Sequence, residues 1–294
     1  MRLHRLTLAL LCTTLLLGAC SRLDIGYRNL DWLISWSLDD YLDLSRQQKQ
    51  WLKPRLHNHL RWHCSTQLPL YSDWLQRSEQ LIGARPLDPA QLDAQFDQLR
   101  QAIDTIAVQT TPTVTELLRG LSPAQVAHLR KRLAQEDREL RQEYLEPSPA
   151  QQVSERQERM VERFEPWLGS LSTAQKNLIA RWAQKPEQQS RLWFDNRARW
   201  QDAFLATLEQ RSSEDFNQQL RHLLQQRTDF WTPAHREQFA RSQTALAQLF
   251  AELINSADSR QQQHLLQRLH ELRQDLDGLA CVSPATPAVA SRSE

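Results

Sequence analysis

Glycine is the scarcest structural resource in this chain: six residues in 294. Sheet proteins draw on glycine for tight turns and show period-two alternation, and neither is present. Apolar residues recur instead at helical spacing. Leu92, Phe96, Leu99, Ile103 and Ile106 step by four and three, as do Leu265, Leu269, Leu272, Leu276 and Leu279. Val126, Leu129, Leu133, Leu140 and Tyr144 form a third stripe, and Trp193, Trp200, Phe204 and Leu208 a bulkier fourth. Each marks one buried face, with Arg, Gln and Asp opposite. Such helices are marginal alone and must pack on one another. The fold class is therefore all-α: an elongated bundle of roughly ten to twelve amphipathic helices and no sheet.

The predicted helices lie near 29–43, 46–64, 69–82, 89–110, 113–119, 123–145, 149–168, 173–184, 187–211, 214–227, 233–256 and 259–279. Gly83, Gly120, Gly169 and Gly278 fall at predicted helix ends, where left-handed caps are expected. No Ser/Gly/Pro linker divides the body, so residues 29–281 read as one domain, with a candidate subdomain break near 146–172. The small, Pro/Ala/Ser-rich segment 282–294 reads as a disordered tail.

Helix starts reuse one pentapeptide. "LSRQQ" at Leu44, "LDPAQ" at Leu87, "LSPAQ" at Leu121, "PSPAQ" at Pro147, "LSTAQ" at Leu171 and "WTPAH" at Trp231 recur without a fixed period. The Ser, Thr or Asp is a good N-cap. Proline at the first helical position loses nothing by lacking an N–H. The leading apolar residue suits a hydrophobic staple, which for Leu121 pairs it with Val126. The "LSPAQ" and "LSTAQ" copies also resemble the LTxxQ repeats of Spy-type periplasmic chaperones, all-helical proteins that bind unfolded clients. Convergent cap chemistry alone produces the same strings.

The first twenty residues speak to compartment. Arg2 and Arg5 precede an apolar run, Leu6–Leu17, too short to span a bilayer. "LGAC" then places Gly18 and Ala19 before Cys20, which resembles the lipobox of bacterial lipoproteins. That resemblance implies removal of residues 1–19 and a diacylglyceryl anchor on Cys20. Ser21 favours the outer membrane, facing the periplasm, over the inner membrane. Residues 20–28 read as a short tether reaching at most about 28 Å from Ser21 when extended.

With Arg2 and Arg5 gone, the 36 basic and 35 acidic residues become a net charge of −1. No basic block stands out, so a nucleic-acid partner is not expected. Cys12 leaves with the leader, and Cys64 and Cys281 remain as an even pair in an oxidising compartment. A disulfide between them is expected, with two free buried thiols as the alternative.

The most unusual stretch is Tyr27–Leu75, which holds five of ten tryptophans. Trp32, Trp36, Trp51, Trp62 and Trp74, with His63, form a block that either fills a core or lines a ligand groove. The lipobox, "LDWL", "DDYLDLS", Gln47–Gln48 and the "WH…LP.Y" pattern at Trp62, His63, Leu68, Pro69 and Tyr71 resemble a family of mostly helical lipoproteins of gammaproteobacteria. That resemblance supplies fold and location but no activity.

His57, His59, His63 and Cys64 are the best metal candidate, since His59 and His63 share a helical face. His57 falls off that face and no second cluster completes a ligand set, so no metal and no cofactor is expected. Asp39, Asp40 and Asp43 lack the glycine turn of a calcium loop and read as a solvated or Arg-paired face. No nucleophile elbow, phosphate loop or dinucleotide fingerprint occurs, and an enzyme is not expected. Three roles follow: a structural or interaction lipoprotein with an envelope protein partner, a tethered chaperone, or a ligand or metal binder using the Trp/His block.

Overall fold

A computed structural model describes residues 22–184, 188–279 and 281. The leader, Cys20 and the 282–294 tail lie outside the described residues. In chain order the helices are α1 (Arg22–Arg28), α2 (Leu30–Leu42), α3 (Arg46–Trp62), a π turn at His63–Gln67, α4 (Leu68–Gly83), α5 (Pro89–Arg119), α6 (Pro123–Tyr144) and α7 (Pro149–Leu168). Then come α8 (Thr173–Ala183), α9 (Gln188–Glu209), α10 (Phe216–Gln225), a 3-10 turn at Arg227–Phe230, α11 (Pro233–Asn255) and α12 (Ser259–Asp277). No strand occurs among the described residues. The molecule is an all-α bundle.

Four local expectations need correction. Residues 22–28 do not form an extended tether: they fold as α1, which packs against α12. The predicted break at 110–113 is absent, because α5 runs unbroken through Pro112 for 31 residues, about 46 Å. Thr111 Oγ1 donates to the Ala107 carbonyl at 2.6 Å and Thr115 Oγ1 to that of Thr111 at 2.8 Å, so threonine hydroxyls serve carbonyls around the proline. The gap between 64 and 69 is instead the π turn, and the chain stays helical across it. Of the four helix-end glycines, only Gly169 has positive φ, at 72°, and the left-handed α cap belongs to Asp43.

There are two main cores, and the chain visits them alternately. One gathers Leu75, Ile82, Leu92, Met160, Phe164, Leu168, Ile179, Leu253, Leu265 and Leu269. The other gathers Leu42, Leu52, Leu56, Leu117, Leu121, Val126, Leu129, Leu208, Phe216 and Leu220. Helix α5 enters the first through Leu92 and the second through Leu117 and Leu118, so it beams across both. The segment 146–172 is consequently not a boundary between units: Met160, Phe164 and Leu168 are central to the first core.

The pentapeptides do more than start helices. Ser45, Asp88, Ser122, Ser148, Ser172 and Asp258 each form a full capping box with Gln48, Gln91, Gln125, Gln151, Gln175 and Gln261. Four of these glutamines then pair across the fold. Gln125 Oε1 accepts from Ser122 N at 3.0 Å, while its Nε2 donates to Gln48 Oε1 at 2.8 Å and to the Asp43 carbonyl at 2.9 Å. Gln48 closes its own box at 2.9 Å and donates to the Gly120 carbonyl at 3.1 Å. Gln175 and Gln261 repeat the scheme: Gln175 Nε2 lies 2.9 Å from Gln261 Oε1, and Gln261 Nε2 donates to the Ser170 carbonyl at 3.0 Å. Gln175 is 0 % exposed. Each clasp locks two helix starts together beside one core, with Leu44 and Leu121 buried in the second and Leu171 and Ala257 in the first.

Cys64 sits in the π turn and is disulfide-bonded to Cys281, with Cα atoms 5.5 Å apart. That bond closes most of the chain into one loop, pinning the segment after α12 to the junction of α3 and α4. Loop closure over 217 residues stabilises by up to about 5 kcal/mol in the chain-entropy treatment.

The clasp demands the amide of glutamine, because a carboxylate of the same shape and reach accepts but cannot donate. Gln125→Glu keeps the box but loses the donors to Leu42 and Asp43, and is expected to cost about 1–3 kcal/mol. Gln151→Glu, whose glutamine closes only its own box, should stay within about 0.5 kcal/mol. Urea midpoints of the two variants check this, and equal costs would refute the clasp.

Candidate functional site

The Trp/His block does not converge on one site. Trp32 and Trp36 are 64 % and 59 % exposed on α2 and stack on each other at 6.4 Å. With exposed Leu33 and Ile25 they give α1–α2 an apolar outer face. Trp51 packs on the second core, with the Arg55 guanidinium 3.9 Å above its ring. Trp74 lies in the first core, where its indole N–H donates to the Gln95 carbonyl at 3.2 Å. The block is thus divided between surface, both cores and the π turn.

His63 is the exception that organises its surroundings. Tyr27 Oη donates to the Leu60 carbonyl at 3.1 Å and also lies 3.1 Å from His63 Nδ1. A hydroxyl has one proton, so Nδ1 must carry the other and donate to Tyr27. Nε2 is then free to accept from Tyr71 Oη at 3.2 Å. Every partner is satisfied when the ring is neutral. Burial lowers the His63 pKa, and burial with the nearby Tyr71 pushes Tyr27 up to about 12. Tyr27, through Leu60 and His63, ties α1 to the body beside its packing on α12.

The metal candidate dissolves for positive reasons. His57 pairs with Asp31 at 2.8 Å, His59 with Thr113 Oγ1 at 2.8 Å, and His63 with two tyrosines. Cys64 has its sulfur in the disulfide. Among the described residues no group of three or more His, Cys, Asp or Glu side chains could hold a metal. Two of the three acidic residues are paired as well, Asp39 with Lys49 at 2.7 Å and Asp40 with Arg132 at 2.5 Å, while Asp43 is the left-handed cap of α2.

A site that the sequence did not announce lies in the first core. Helices α4, α5, α7, α11 and α12 surround an open cavity of about 510 Å³, walled by Trp74, Phe96, Met160, Phe164, Phe250 and Leu269 among others. Phe250 meets Phe164 at 4.7 Å and Phe96 at 5.5 Å, both edge-on, so the rings prop the helices instead of interleaving flat. Ser78, Gln95 and Arg163 are the polar, non-aromatic side chains on the walls. Gln95 is buried, and its Oε1 has no hydrogen-bond partner. Arg163 is exposed and makes no ion pair or hydrogen bond among the described residues. One signal was available in the sequence: Gln95 occupies a core register, between Leu92 and Leu99, where a leucine would fit.

A family model matches residues 40–236: DUF6279, a family of unknown function. The chain belongs to this family. No curated protein and no solved structure matches it. The matched DUF6279 segment runs from the end of α2 to the start of α11. The exposed α1–α2 tryptophans, the α12 wall of the cavity and Cys281 therefore lie outside it.

Because His63 is held neutral, its folded pKa lies below its unfolded value near 6.5. Its contribution to stability is complete above about pH 6.5 and is lost as pH falls through the folded pKa. His59 and His235, also lowered by burial, act in the same direction. Urea unfolding from pH 7.5 to pH 5 should show falling stability, with a shallower slope in His63→Gln. An unchanged slope would remove His63 from the account.

Proposed function

We propose that this is a lipid-anchored protein of the cell envelope, attached through a diacylglyceryl group on Cys20 to the outer membrane and facing the periplasm. Its helical body acts as a structural or interaction module held flat against the membrane, not as a catalyst. The observation that carries the reading is the exposed Trp32–Trp36 face, with Leu33 and Ile25, on the two helices that follow the anchor. Indole rings favour the membrane–water interface, being apolar in body and polar at the N–H. Helix α1 starts two residues after Cys20 and is fixed to the body through Tyr27 and α12, so no slack separates anchor from fold. No described helix is long and apolar enough to cross a membrane, and the lipid supplies the attachment. An envelope protein is the partner expected on the remaining surface. The chaperone alternative ranks behind this reading, since three of the pentapeptide glutamines, Gln48, Gln125 and Gln175, are committed to the clasps.

Membrane fractionation of Cys20→Ala should release the protein into the soluble fraction, and intact mass should show the diacylglyceryl adduct only on the parent. In the lipidated protein, bilayer-borne quenchers at the headgroup level should dim Trp32 and Trp36. A Trp32→Ser/Trp36→Ser variant should lose most of that quenching while staying anchored. Retention of Cys20→Ala in the membrane would end the anchor reading; quenching indifferent to the double variant would end the flat orientation.

A further inference from the structure

We propose that the cavity between α4, α5, α7, α11 and α12 binds the single hydrocarbon chain of an anionic amphiphile, with a free long-chain fatty acid as the occupant. Its volume of about 510 Å³ lies within the range of small-molecule sites, which are mostly apolar with a few placed polar groups. An apolar void of this size has no hydrogen bonds to offer water, whereas apolar cavities in proteins take up hydrocarbons. Of the three polar wall groups, Ser78 is engaged with the Trp74 carbonyl at 2.9 Å, which leaves Gln95 and Arg163 for a headgroup. Gln95 is 8 % exposed on an otherwise apolar helix face, and its amide oxygen lacks a hydrogen-bond partner. An amide carries both N–H donors and a carbonyl acceptor, so Gln95, with its side chain turned to the cavity, meets a carboxyl in either protonation state. Arg163 is the cation on the walls, exposed, and engaged by no carboxylate among the described residues. A carboxylate there gains an ion pair while the chain fills the space between Trp74, Phe164 and Phe250. This does not rest on the anchor: the site is complete in the folded body.

The test uses the mature chain from Ser21, secreted behind a leader that leaves no lipid, so that no detergent competes. Calorimetric titration with C10 to C16 fatty acids should show one site, tightening about fourfold per added methylene until the cavity is full. Arg163→Gln should weaken the acids about fivefold and leave the corresponding methyl esters unchanged. A fatty acid carrying a terminal diazirine should crosslink to peptides of α5, α7 and α11 in the unaltered protein, a readout that needs no folded variant. Absence of saturable binding, crosslinks confined to other helices, or acids and esters bound alike with Arg163→Gln silent would overturn the proposal. Lipidated protein in nanodiscs should take up the same probe. If it refuses while the soluble chain accepts, the occupant is the protein's own acyl chain, and the free-ligand assignment fails. Loss of membrane attachment in Cys20→Ala bears only on the anchor, and loss of acid binding only on the cavity.

Discussion

A primary amide can accept and donate hydrogen bonds at the same moment, and the fold depends on this twice. In both clasps the oxygen of glutamine completes the cap of its own helix while the nitrogen reaches the start of another. The partners lie 77 and 86 residues apart in sequence. A helix start normally leaves several N–H groups for water or a local side chain to satisfy. Here the same residue that answers that local need also fixes which two helix starts meet. Local and long-range order are written in one side chain, so the clasps set the geometry from which the two cores are filled.

How much of this was legible depended on how local each feature is. The four- and three-residue stripes predicted the helices because one face of each is buried and the other solvated, which is a property of a helix by itself. Ser45, Ser122 and Ser172 read as caps for the same reason. The continuity of α5 through Pro112 was not readable from proline rules, since the compensating hydroxyls of Thr111 and Thr115 point back along the helix. The pairing of Gln48 with Gln125 was invisible because nothing in either pentapeptide names its partner. The dispersal of the tryptophans follows from packing: Trp36 and Trp51 are fifteen residues apart, yet one faces solvent and the other the second core. The cavity needed five helices in place before it existed, and its sole trace was a glutamine where a leucine belonged.

The DUF6279 match and the physical units of the fold do not coincide. It contains every buried residue of the second core, leaving out only the partly buried Ile34 and Leu38 packed against it, but only part of the first, whose α11 and α12 contributions lie beyond residue 236. The Gln48–Gln125 clasp falls inside the matched segment and the Gln175–Gln261 clasp straddles its end. The exposed α1–α2 tryptophans and the α11 and α12 residues of the cavity wall, six of its twenty, lie outside the matched segment.

The alternation of the chain between the two cores has a consequence for biogenesis. The second core is complete once Leu208, Phe216 and Leu220 have been delivered, whereas the first lacks Leu265 and Leu269 until α12 follows. A nascent chain can therefore close the second core while the first is still open, and the Cys64 sulfur waits for a partner 217 residues further along. Vectorial delivery from the amino terminus gives this topology an order: the second core can close first, and the first core waits for α11 and α12. A chain cut short before α12 is left with its first core open, and the quality of the product is decided at its final helix.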